Sequence, residues 1–87
     1  MYVIIVYDVN VERVNQVKKF LRRYLTWIQN SVFEGELSEA DLEEVKLGLS
    51  DIIDGSEDMV VIYRLPSNRS LKKDVLGIDK SCSSEII

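Results

Sequence analysis

Asp8 closes the most hydrophobic run of this 87-residue chain, directly after Tyr7. A carboxylate carried there is held by the backbone hydrogen bonds of a strand and delivered to the end of a sheet. The rest of the inventory narrows its chemistry. The chain has no histidine and one cysteine, Cys82, which excludes histidine-based triads, histidine-ligated zinc, thiolate clusters and an internal disulfide. Carboxylates, lysine, tyrosine, hydroxyls and a hard metal ion remain. One carboxylate is a poor metal site. Two copies of Asp8 meeting on a two-fold axis would repel unless one is protonated or a cation bridges them. Magnesium or manganese suits such a pair: magnesium accepts one or two carboxylates and keeps several waters, which supply a hydrolytic nucleophile. The plainer alternative is a strand-end residue beside a helix cap at Asn10.

Two further stretches carry reactive or binding groups. Gln29-Asn30-Ser31-Val32-Phe33-Glu34-Gly35 reads from its residues alone as a polar-decorated strand with a bulge at Gly35. In Lys18-Lys19-Phe20-Leu21-Arg22-Arg23, Lys18 with Arg22 and Lys19 with Arg23 stack at i,i+4 without acidic partners. That arrangement lowers helix stability unless phosphates sit against it; otherwise it is a solvated face. The net charge of −4 does not oppose a polyanion, because it is unevenly spread. Residues 1–33 carry +3, residues 34–58 carry −9 and residues 59–87 carry +2. A polyanion can meet the basic flanks while the acidic middle faces away.

The elements that must position these groups follow from periodicity. Tyr2–Val9 is β-branched and reads as a central strand buried on both faces. Asn10 caps a helix whose apolar stripe is Val14, Val17, Leu21, Tyr24 and Leu25. Trp27–Leu37 is rich in β-formers and gives a strand pair or a bent strand. Ser38 and Asp41 resemble a capping box, followed by a second helix with the stripe Leu42, Val45, Leu49, Ile52 and Ile53, ended by Gly55. Met59–Leu65 is a strand stopped by Pro66, and Val75–Ile78 is a candidate final edge strand. Trp27 and Tyr63 are expected in the core.

This order is α+β and matches a ferredoxin-like βαββαβ arrangement with an antiparallel sheet and an additional short C-terminal strand. Residues 1–78 form the domain and residues 79–87 a tail. Hydrophobic residues at 46% and charged residues at 30% describe a globular chain rather than a disordered one. No apolar run reaches the roughly 20 residues of a membrane span, and no signal-peptide pattern opens the chain, so a cytoplasmic protein without membrane contact is expected. Helices on one face leave the other bare, and homodimerisation through the bare face or the edge strands is the simplest remedy.

Tyr7-Asp8-Val9-Asn10 with Arg13, then Trp27-Ile28-Gln29-Asn30-Ser31-Val32-Phe33-Glu34-Gly35, then Val60-Val61-Ile62-Tyr63-Arg64-Leu65 together resemble the CRISPR-associated endonucleases of the spacer-acquisition module, the Cas-two family. The resemblance spans Met1 to Ile78. It implies a homodimer in which Asp8 binds a catalytic magnesium or manganese ion between subunits. It also implies cleavage of phosphodiester bonds in single-stranded RNA or double-stranded DNA, and assembly with the partner integrase, the Cas-one protein, on incoming DNA. Tyr7, Ser31 and Phe33 match motif positions with a supporting role near the metal or substrate. Some members carry arginines in the second strand where this chain has Thr26 and Trp27, so of the family's basic residues only Arg13 carries over as a nucleic-acid contact. Lys18, Lys19, Arg22 and Arg23 join it on the charge argument above. The alternative function is a non-catalytic dimer that bridges integrase subunits and binds duplex DNA.

Overall fold

A computed structural model describes residues 1–67 and 71–80 of the chain. Six elements follow one another: β1 (Tyr2–Asp8), α1 (Val11–Leu21), β2 (Thr26–Gln29), β3 (Val32–Glu36), α2 (Glu39–Ile52) and β4 (Met59–Leu65). The strands form one antiparallel sheet in the order β2-β3-β1-β4. β3 separates the parallel strands β1 and β2, which is the split βαβ arrangement expected of a ferredoxin-like fold.

Both expected helix caps are present. The Asn10 side chain accepts from the Glu12 amide at 3.2 Å, and Ser38 Oγ accepts from the Asp41 amide at 3.0 Å. Each satisfies an amide that the first helical turn leaves without a partner. α1 is shorter than its apolar stripe suggests: Tyr24 and Leu25 lie in the turn beyond it, although Leu25 still reaches the core. α2 ends at Ile52 rather than Gly55, because Ile53 swings to an extended conformation, ψ 161°. Trp27–Leu37 contains a strand pair joined at Asn30 and Ser31. Asn30 takes the left-handed region, φ 41°, which asparagine tolerates well, and its carbonyl accepts from Trp27 Nε1 at 3.1 Å. The irregularity in this hairpin falls between Trp27 and Gln29. Gly35 pairs regularly with Val3, and its lack of a side chain admits Leu25, whose Cδ2 would stand 3.0 Å from a Cβ there.

The two faces of the sheet differ. Val3, Ile5 and Tyr7 of β1 and Phe33 of β3 point toward the helices and are buried against Val17, Leu21, Leu42, Val45 and Leu49. Burying each such side chain contributes about 1.5–3 kcal/mol. Tyr2, Ile4 and Val6 alternate to the other face and are only half-buried. β1 is therefore central in the sheet but fully covered on one side alone, since both helices lie on that side. Tyr63 belongs to the open face and is 56% exposed, so it is not a core residue; Trp27 packs at the core margin.

Val75–Ile78 forms no strand. Residues 71–80 instead lie against the open face, enclosing a groove with Ile4, Ile28, Val32 and Glu34, and Lys73 Nζ donates to Glu34 Oε2 at 2.7 Å. A segment laid over side chains rather than along a strand edge finds no backbone ladder. Residues 81–87, which hold most of the expected tail and Cys82, lie outside the described residues. Among the described residues no helix is long and apolar enough to cross a membrane.

Candidate functional site

Asp8 is the last residue of β1, and strand alternation turns it onto the open face with Tyr2, Ile4 and Val6. It pairs across to Met59, the first residue of β4. Its side chain is exposed and makes no hydrogen bond or ion pair with any described residue. Among the described residues no group of three or more histidine, cysteine, aspartate or glutamate side chains is placed to hold a metal ion. A single chain therefore offers one hard oxygen donor group. Two chains meeting through their open faces offer two, the number that magnesium accepts while keeping most of its water. The donor chemistry of Asp8 fits a hard divalent ion, and a dimer would supply twice the carboxylates of a lone chain.

Tyr7 points the other way. It is 3% exposed and stacks on Phe33 with ring centroids 6.2 Å apart. Its hydroxyl is buried without a hydrogen-bond partner among the described residues; burial pushes its pKa up, partly offset by the positive charge of Arg22. Tyr7 and Phe33 thus lie in the core, on the face of the sheet opposite the Asp8 carboxylate. Ser31 is nearer in kind: its carbonyl accepts from the Tyr7 amide at 3.1 Å, which binds the hairpin tip to the Asp8 end of β1.

Arg13 sits among three acids. Its Nε and Nη2 donate to Asp58 at 2.6 and 3.1 Å, its Nη2 to Glu57 at 2.7 Å and its Nη1 to Glu12 at 2.9 Å. The bonds to Asp58, then Glu57, hold its pKa above the usual arginine value, and Arg13 holds the Asp58 carboxyl well below the usual carboxylate range. A guanidinium forked onto one carboxylate and shared with two more has little left to offer an incoming anion.

Lys18 and Lys19 lie in the last turn of α1, whereas Arg22 and Arg23 lie just beyond its end, so the expected i,i+4 pairs are split between helix and turn. The first three border a shallow depression with Asn15 and Gln16 on the outer side of α1. Arg23 lies about 6 Å from the ring centroids of Phe20 and Tyr24, close enough for a cation–π contribution. None of the four pairs with an acid among the described residues. The helices cover the face opposite Asp8, so this cationic row and the carboxylate open to different sides of the sheet.

Two clusters escape a reading of the sequence. Asp58 is one. The other is on the open face, where Glu34 is buried and accepts from Tyr2 Oη at 2.8 Å as well as from Lys73. Burial, followed by that bond to Glu34, pushes the Tyr2 pKa up to about 12. Both clusters join residues more than 30 positions apart, and no local spacing announces them.

A family model described as CRISPR associated protein Cas2 matches residues 1–73. The chain is 67% identical over 85 residues to the CRISPR-associated endoribonuclease Cas2 2 of Archaeoglobus fulgidus, covering 98% of this chain and 92% of that one. It is 56% identical over 87 residues to the CRISPR-associated endoribonuclease Cas2 of Thermococcus kodakarensis, covering both fully. A crystal structure described as that of cas2 superposes with a TM-score of 0.84 at 56% identity, covering 93% of this chain and 91% of that chain. Streptococcus pyogenes Cas2 superposes with a TM-score of 0.78 at 35% identity, covering 88% and 100%.

Proposed function

The chain belongs to the CRISPR-associated Cas2 family, and from that premise we propose that it is a nuclease of CRISPR defence that depends on a divalent metal ion and works as a two-fold dimer. The observation that carries this reading is Asp8: an exposed carboxylate without a polar partner among the described residues, on the open face, at the end of a strand buried on its other side. The two Asp8 side chains of a dimer would hold magnesium or manganese. Such an ion, when bound, lowers the pKa of water and offsets negative charge on a phosphodiester. Asp8 contributes the charge that retains the ion, and β1 contributes a rigid mount. The open face, with Val6, Met59, Val61 and Tyr63 beside Asp8, supplies apolar surface through which two chains can meet and exclude water around the carboxylates. The bond broken is a phosphodiester P–O bond, with water adding at phosphorus; relatives named endoribonucleases favour RNA as one substrate, beside duplex DNA.

A second reading has its own support in the cations at the C-terminal end of α1 and in the turn after it, which pair with no acid among the described residues. Lys18, Lys19, Arg22 and Arg23 suit a duplex backbone and lie across the sheet from Asp8, so a dimer can hold DNA, and bridge subunits of the Cas-one integrase during spacer integration, without cleaving. The two activities are separable. Asp8→Asn keeps the shape and removes the charge that retains the ion; cleavage should fall by orders of magnitude while DNA binding, dimerisation and integration persist. Cleavage assays with and without magnesium, run beside integration assays on the same preparation, test this. Undiminished cleavage without metal would remove Asp8 from the catalytic role.

A further inference from the structure

The Asp58 side chain is sealed from solvent and accepts four hydrogen bonds. Two come from Arg13, at 2.6 and 3.1 Å; the Asn10 amide donates at 2.9 Å and the Asp54 amide at 2.8 Å. Chain position gives these bonds a direction. Asp8 and Met59 form the last pair of the β1–β4 ladder. Asp58 immediately precedes Met59, and Asn10 follows Asp8 by two residues. The Asp58 carboxylate therefore joins the backbone leaving that pair to the backbone entering it, and Arg13 fastens the joint to α1. Asp8 has no polar side-chain contact of its own among the described residues. Among the described residues, the backbone around this last pair is therefore the only polar anchor of its position.

Resting on the reading of Asp8 as a metal ligand, we infer that Asp58 and Arg13 are positioning residues, a buried clamp that fixes the Asp8 end of β1 for its encounter with the ion. Strand ends fray when nothing holds them. A carboxylate on a frayed end is spread over several positions, whereas two carboxylates sharing one small ion must be held in a narrow geometry. Outer partners of metal ligands typically change metal affinity by about 10–100-fold. Asp58 acts one step further out, through the backbone, so the lower end of that range applies.

The test uses the full chain with Asp58→Asn and with the milder Arg13→Gln, so that a folded variant is in hand if the first is too disruptive. Backbone amide exchange is compared at residues 8–10 and 58–60 and at residues 2–5, and Mn2+ binding is followed by electron paramagnetic resonance. Exchange should quicken at the Asp8 end and stay unchanged at residues 2–5, with Mn2+ held about tenfold more weakly. Arg13→Lys, which keeps the charge but loses the fork, should fall between. Unchanged exchange at the Asp8 end in folded variants would overturn the clamp. So would unchanged Mn2+ affinity, provided Asp8→Asn abolishes binding. If Asp8→Asn binds Mn2+ as tightly as the unsubstituted chain, the metal reading of Asp8 fails instead, and the exchange comparison alone decides the clamp.

Discussion

Arg13 and Asp58 form an ion pair whose acidic half cannot be reached by water, which ties the stability of the fold to pH. Arg13, first among its partners, holds the folded Asp58 pKa below the ordinary carboxylate value, and the Asn10 and Asp54 amides add to the effect. A depressed folded pKa contributes stability that is fully present above the unfolded value of about 4 and is lost as pH falls through the folded one. Arg13→Gln removes the largest cause. The variant should be less stable than the unsubstituted protein at pH 7, and the gap should narrow in urea titrations below pH 4. A gap independent of pH would mean that Arg13 contributes packing alone. At this scale the sequence reveals Asp8, whose type and place at the end of an apolar run are local facts. It conceals Asp58, because a bond between residues 45 positions apart leaves no spacing to read.

Gly48 decides how closely α2 approaches α1. A Cβ at that position would clash with the tip of the Phe20 ring at Cζ, so the ring packs directly on the backbone of α2. In an exposed helix interior, glycine to alanine gains about 1 kcal/mol. Here the added methyl group overpacks the contact, and Gly48→Ala should lower stability by about 1–2 kcal/mol in urea unfolding. Adding Phe20→Leu should lessen the further loss that Gly48→Ala causes; a stabilising Gly48→Ala would show that the ring moves freely aside. The outer side of α1 makes a separate claim. Replacing Lys18, Lys19, Arg22 and Arg23 together with Gln should weaken duplex binding and flatten its salt dependence by roughly one unit of slope per lost phosphate contact. An unchanged slope with the fold intact would make the row a solvated face. Helix starts were legible because Asn10 and Ser38 act within three residues of themselves. The end of α2 was not, since Ile53 leaves the helix through its backbone conformation and not through a helix-breaking residue.

One covered face and one open face describe the whole molecule, and that division was readable from the number of helices available to cover a four-stranded sheet. The C-terminal strand was not readable, because being a strand depends on the edge a segment finds: Val75–Ile78 has the apolar composition yet lies over the sheet. Leu76 and Ile78 remain 96% and 82% exposed, an apolar surface that a second chain would cover. Sedimentation at micromolar concentration should give about twice 10.0 kDa, concentration-dependent as linked folding and association require; a stable folded monomer there would defeat the dimer. On the proposed reading Asp8 would then set the kinetics. Each chain would bring one carboxylate, so the metal-holding unit would belong to neither chain, and its amount would follow the square of monomer concentration once dilution passes the dissociation constant. Cleavage per milligram of protein would fall with dilution while affinity of α1 for phosphate, a property of each chain, would not. A cell making little of this protein would hold a nucleic-acid binder, and one making more would hold a nuclease.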